Sequence, residues 1–207
     1  MMHIENIFVC ITVPLLVSLF FIKEKQRCYT LFIWVGMGIC MASAYVNSFV
    51  MSLYEADPIS TAIQIAPVCE EVMKLLPLLF YILIFEPKPG EIVPAAIAIA
   101  AGFATFENVC FLSENGAGNI TLLLVRGLSA GALHILCGIA MGYGIAYVFK
   151  QRWLAAAGTL GILGANIVFH ALYNLMVTAE GMWQSIGYIF PSILILFCAQ
   201  YKYSRRG

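Results

Sequence analysis

Apolar residues run along this chain in seven long stretches, separated by short polar breaks. A membrane-crossing helix needs about 20 mostly apolar residues. The stretches meet that length at roughly 6–22, 28–50, 60–85, 92–112, 120–149, 153–178 and 182–202. The breaks at 23–27, 54–58, 86–91, 113–119, 150–152 and 178–181 hold no soluble domain, and no linker or clear internal repeat is present. The pattern predicts an all-α, polytopic membrane helix bundle of about seven transmembrane helices, a single transmembrane domain over residues 1–207. The first stretch lacks a positive segment before it and a small-residue cleavage site after it. It is therefore expected to be a retained span and not a leader.

Composition agrees. Hydrophobic residues make up 62% of the 207 positions and charged residues 11%, with a mean hydropathy of +0.91. A soluble domain carries charge on about a quarter of its residues, so this chain could not cover its surface in water. Formal net charge is zero, and no basic stripe exists of the kind a nucleic acid requires. The seven cysteines are scattered and form no CxxC pair, which predicts neither a disulfide framework nor a thiolate metal site.

The distribution of charge predicts orientation. In a seven-span reading Lys23, Lys25, Arg27, Lys88, Lys150, Arg152, Lys202, Arg205 and Arg206 all fall on one side. Glu55, Asp57, Glu114 and Glu180 fall on the other and read as solvated loop charges. Cytoplasmic loops retain Lys and Arg, so the N-terminus is expected outside and the C-terminus in the cytoplasm. The membrane lipid is then the protein's main partner, and a cell membrane its location.

Ionisable groups nonetheless lie well inside four stretches. The third carries Glu70, Glu71 and Lys74, the fourth Glu107 followed by Asn108, the fifth His134, and the sixth His170 with Asn174. Each charge at a helix centre costs roughly 2.5–3.5 kcal/mol on the permissive insertion scale, so such a set points to function. Glu70 and Glu71 stand four and three residues before Lys74, within reach of its ammonium. Pro67 and Pro77 bracket this acidic turn and predict irregular backbone around it. His170 and Asn174 share a helix face and could hold an oxyanion, while Phe103 lies one turn before Glu107. Gly127, Gly131, Gly138 and Gly142 predict a close-packing seam on the fifth helix, with His134 turned toward protein.

Three carboxylates against Lys74 cannot all ionise in a low dielectric. A glutamate so placed can take a proton from water and return it to a leaving amine. Zinc held by histidines and glutamates is an alternative, although the HExxH spacing is absent. Midplane acids also mark proton- or ion-coupled transporters, and a non-catalytic membrane scaffold is a third possibility.

Glu70-Glu71-x-x-Lys74, Phe103-x-x-x-Glu107-Asn108, His134-x-x-x-Gly138 and His170-x-x-x-Asn174 resemble, in order and on successive helices, the four motifs of the PrsW-type intramembrane proteases. These belong to the wider superfamily of CAAX prenyl endopeptidases and bacteriocin-processing proteins. The resemblance covers approximately residues 60–178. It implies a bacterial membrane endopeptidase making the first cut in a membrane-bound anti-sigma factor, or a similar single-pass protein, near the extracytoplasmic side. It also implies a glutamate-activated water with no resident cofactor. Glu70 would be the general base, Glu71 and Lys74 would orient it and balance charge, His134, Glu107 or both would help position the water, and His170 and Asn174 would hold the oxyanion. CAAX endopeptidases have arginine and histidine where this chain has Lys74 and Glu107, which favours the PrsW branch over a prenylated substrate.

Overall fold

A computed structural model of the chain describes residues 4–116 and 120–204. Arg205 and Arg206, which the charge pattern assigns to the cytoplasmic side, lie outside the described residues. Seven helices occupy the seven apolar stretches: α1 Ile4–Ser18, α2 Glu24–Leu53, α3 Ala66–Phe85, α4 Pro89–Asn115, α5 Ile120–Val148, α6 Arg152–Thr178 and α7 Met182–Ser204. The chain is thus a polytopic, all-helical bundle. Five of the helices, α2 and α4 to α7, are long and apolar enough to cross a membrane. The other two differ for visible reasons. Helix α1 has 15 residues, and the 20 residues of α3 include Glu70, Glu71 and Lys74.

The start of α3 is built in three steps. Asp57 caps a short helical turn, Pro58–Ser60, accepting hydrogen bonds from the backbone N–H of Ile59 (2.9 Å) and Ser60 (3.0 Å) and from the Ser60 hydroxyl (2.6 Å). Asp57 is therefore a helix cap and more than a solvated loop charge. A π-helical turn, Thr61–Ile65, follows, and α3 proper begins at Ala66 with Pro67 in its first turn. The irregular backbone expected around the acidic turn lies on its N-terminal side alone. Pro77 sits inside α3 without interrupting it. The helix stops at Glu86, whose left-handed φ of 46° turns the chain toward α4.

Helix α4 is the central element. Ala98, Ile99, Ala100, Phe103 and Phe106 are all buried, and α2, α3 and α5 pack around it. Helix α2 meets it backbone to backbone through two glycines. A Cβ on Gly36 would stand 2.1 Å from the Ile99 carbonyl oxygen, and one on Gly102 1.9 Å from that of Ile33. Neither position accepts a side chain while the helices cross this closely.

The expected glycine seam of α5 is present in its C-terminal half only. Gly138 and Gly142 lie against Ala96, Ala100 and Val93 of α4, whereas Gly131 has nothing within 4 Å and Gly127 only the Asn108 amide at 3.7 Å. Around the periphery Phe20, Phe49, Phe80, Leu83, Leu128, Trp153, Leu160 and Leu196 are exposed. Such a surface is tolerable in lipid and not in water.

Candidate active site

Four helices each deliver part of the polar cluster. Glu70, Glu71 and Lys74 come from consecutive turns of α3, Phe103, Glu107 and Asn108 from α4, Arg126 and His134 from α5, and His170 from α6. Helix α6 is pinned to α5 on both sides of His170. The Asn166 amide donates to the Cys137 carbonyl (2.9 Å), and the Tyr173 and Ser129 hydroxyls are hydrogen-bonded at 2.9 Å. These two ties fix the register in which His170 and His134 meet, with ring centroids 5.1 Å apart and nearly perpendicular.

A continuous relay of hydrogen bonds links the charged groups. Lys74 Nζ donates to Glu71 Oε1 at 2.5 Å and lies 2.9 Å from His134 Nδ1. Glu71 Oε1 is also 2.9 Å from His170 Nδ1. An ammonium only donates and a carboxylate only accepts, so this geometry assigns the tautomers. His170 carries a proton on Nδ1, and its Nε2 stands outside the relay. His134 accepts at Nδ1 from Lys74 and donates from Nε2 to Glu107 Oε2, 2.5 Å away. The Phe103 ring covers both, with its centroid 4.7 Å from Lys74 Nζ and 5.1 Å from the His134 ring.

Glu70 stands apart from this relay. The spacing allowed it to share Lys74 with Glu71, but the ammonium pairs with Glu71 instead. Glu70 Oε2 is buried, has no hydrogen-bond partner among the described residues and lies 3.8 Å from His170 Nε2. A buried carboxylate oxygen without a hydrogen bond is costly, and here it faces the one imidazole nitrogen that the relay leaves free.

At the other end the relay is held by a residue outside the four motifs. Arg126 donates from Nη2 to Glu107 Oε1 (3.1 Å) and from Nη1 to Asn108 Oδ1 (2.8 Å), and its guanidinium lies 3.8 Å from the Phe111 ring centroid. It changes the charge sum. Three carboxylates now face Lys74 and Arg126, leaving a formal −1, since −3 + 2 = −1. The signal in the sequence was an arginine inside an otherwise apolar helix. The Glu107 and Arg126 side chains are 27% and 19% exposed, against 1% for His134, so the cluster opens at this end.

Six of the seven expected site residues therefore converge: Glu70, Glu71, Lys74, Glu107, His134 and His170. Asn174 does not join them. Its amide donates to the Ala62 carbonyl at 2.8 Å, away from the carboxylates. The cluster also has a donor set suited to a metal. Glu70, His134 and His170 each offer one ligand atom, all within 4.8 Å of one another. One carboxylate and two imidazoles form a zinc-type set, and the Glu71 carboxylate on His170 Nδ1 is the outer-shell partner that ligating histidines usually have. The missing HExxH spacing is immaterial when three helices supply the donors. Two of them, Glu70 Oε2 and His170 Nε2, are uncommitted, while His134 Nε2 would exchange Glu107 for the ion.

A family model described as PrsW family intramembrane metalloprotease matches residues 24–200. The Protease PrsW of Bacillus subtilis (strain 168) is 30% identical over 104 residues, which are 48% of this chain and 44% of that protein. The Protease PrsW of Geobacillus kaustophilus (strain HTA426) is 26% identical over 136 residues, 62% of this chain and 56% of that protein. The chain spans about half the length of the curated relatives it matches. No solved structure matches it.

Proposed function

The chain belongs to the PrsW family of intramembrane metalloproteases, and from that premise we propose that it is a bacterial intramembrane endopeptidase centred on Glu70, His134 and His170. One observation carries the reading: the buried, unpartnered Glu70 Oε2 faces the free Nε2 of His170, with His134 alongside. A packing ion pair would not leave its carboxylate in that state. Zinc is the ion this donor set suits, held by Glu70, His134 and His170. When bound, such an ion supplies a Lewis acid that acidifies water and polarises a carbonyl.

The surrounding residues hold and tune those three. Glu71 keeps the His170 proton on Nδ1 and so presents Nε2 inward. Lys74 neutralises Glu71. Arg126 anchors Glu107, which either orients His134 through Nε2 or, once released from it, is the carboxylate left to move a proton to the leaving amine.

A second reading has an observation of its own. Both ring nitrogens of His134 are already committed, to Lys74 and Glu107, which suits a metal-free site. There Glu70 is the general base, taking a proton from a water set between it and His170 and returning it to the amine.

The proposed substrate is a single-pass membrane protein such as an anti-sigma factor, cut toward the extracytoplasmic side, as the motif resemblance implies. All seven helices are proposed to cross the membrane, α1 and α3 included, with the N-terminus outside and the C-terminus cytoplasmic. The one-sided placement of the basic loop residues supports this.

The test is cleavage of a single-pass anti-sigma factor in liposomes by wild type and Glu70→Gln, with and without a strong chelator. Loss on chelation with recovery on added zinc supports the metal-holding site. Cleavage that survives chelation but not Glu70→Gln supports the metal-free base. Cleavage undiminished in Glu70→Gln overturns both.

A further inference from the structure

The π-helical turn before α3 leaves the Ala62 carbonyl without a helical backbone donor. In an α-helix the Ala62 carbonyl would accept from the N–H of Ala66, but that N–H is bonded to Thr61 O in the π-helical register. In the π-helical register its partner would be residue 67, and residue 67 is a proline with no N–H. Both of the acceptor's helical partners are thus removed, by the register change in one case and by the imino acid in the other. Among the described residues, the donor placed there is the side chain of Asn174, whose Nδ2 lies 2.8 Å from Ala62 O.

We infer that Asn174 is a positioning residue which replaces the N–H that Pro67 lacks, pinning the π-helical turn to α6 and so fixing where the next turn presents Glu70. The inference rests on the active-site reading above only for its effect on catalysis. Glu70 follows Pro67 by three residues, one helical turn away. His170 precedes Asn174 by four, on the same face of α6. One side of α6 therefore places His170 against Glu71 and Asn174 against the backbone that leads into Glu70. The geometry gives Asn174 a task other than the oxyanion contact implied by the motif resemblance. One of its two amide N–H donors is already committed to a carbonyl of the protein.

Irregular backbone at membrane depth is stable only where its freed groups find partners. If Asn174 acts through Ala62, its removal must matter less once residue 67 can donate for itself. The experiment is a double-mutant cycle on the full-length protein with Asn174→Ala, Pro67→Ala and the pair, read by melting temperature in detergent and by cleavage rate in liposomes. Asn174→Ala is expected to lower the melting temperature by several degrees. It is also expected to reduce kcat by up to about a hundredfold, the scale of a displacement near 1 Å at a reacting centre. Both losses shrink in the Pro67→Ala background.

Additive effects on melting temperature, or no effect of Asn174→Ala on it, overturn the inference. A kcat loss that is the same in both backgrounds, with unchanged melting temperature, returns Asn174 to the oxyanion. If the wild-type protein cleaves nothing, the active-site reading fails by itself, and the melting-temperature cycle still decides the role of Asn174. Asn174→Asp gives an isosteric check, since it removes the donor without opening space and is expected to behave as Asn174→Ala does.

Discussion

Arg126 and Asn108, on adjacent helices, meet at 2.8 Å, and through the same guanidinium Glu107 is held 3.1 Å away. This fork reaches His134 through the second oxygen of Glu107, so the rim of the cluster is mechanically joined to its centre. Arg126→Ala should free Glu107 to rotate and lower cleavage about 10–100-fold, the usual range for a residue supporting a ligand or catalytic group. Arg126→Lys should recover only part, because one ammonium does not reproduce a planar fork onto two acceptors. Steady-state kinetics in liposomes distinguish the two, and equal activity for wild type and Arg126→Ala would remove Arg126 from the site.

Glu70 and His170 face each other at 3.8 Å, and the carboxylate oxygen has no hydrogen-bond partner among the described residues. Glu70→Gln and His170→Ala are expected to insert and fold while losing about 10²–10⁴-fold in cleavage, the range for a positioned acid or base. Protease-protection topology and cleavage, measured on the same samples, test this. Substantial cleavage in both variants would mean that the chemistry lies elsewhere.

Lys74 is buried and paired with Glu71 at 2.5 Å. Removing one member of a buried pair leaves an uncompensated charge and costs about 3–5 kcal/mol. Lys74→Met should therefore destabilise the bundle strongly, and adding Glu71→Gln should restore much of the loss. Thermal unfolding in detergent is the readout, and additive destabilisation by the two changes would contradict the pairing.

The glycines separate into two classes that alanine substitution can expose. Gly102→Ala drives a methyl to within 1.9 Å of the Ile33 carbonyl, and overpacking of this kind costs about 1–3 kcal/mol or more. Gly131→Ala meets nothing within 4 Å and should be neutral or slightly stabilising through helix propensity. Melting temperatures of the two variants should move in different directions.

At the start of α3 the hydrogen bonds from the Ser60 hydroxyl and backbone hold the Asp57 carboxyl below its usual range. A lowered folded-state value means that the cap stabilises the turn above the unfolded-state pKa, and that this support is lost as pH falls through the folded value. Hydrogen exchange over residues 58–65 should accelerate on acidification in wild type. Asp57→Asn should abolish that dependence.

Much of the fold was legible because apolar runs with short breaks leave helices few alternatives in lipid. The Glu71–Lys74 contact was legible too, since i,i+3 neighbours are set by the helix itself. Glu70 was not, because what decides its environment is His170, a hundred residues downstream on α6. Arg126 was missed for a related reason: spacing along one helix says nothing about which residue of the next helix stands opposite. Asn174 lies against the Ala62 carbonyl and outside the cluster, because a shared face with His170 does not say where that face points. The answer depended on a π-helical turn that propensity does not announce. The glycine pairs of the α2–α4 crossing were invisible for the same reason, each being an unremarkable residue in its own helix.

Glu70, His134 and His170 are separated by 64 and 36 residues along the chain (134 − 70 and 170 − 134) and belong to three different helices. No two consecutive helices contain the set. During synthesis, therefore, the ribosome must have delivered the helices through α6 before the three groups can meet. On the proposed reading the final stages of assembly act as the protein's arming step, since the three groups come together only then.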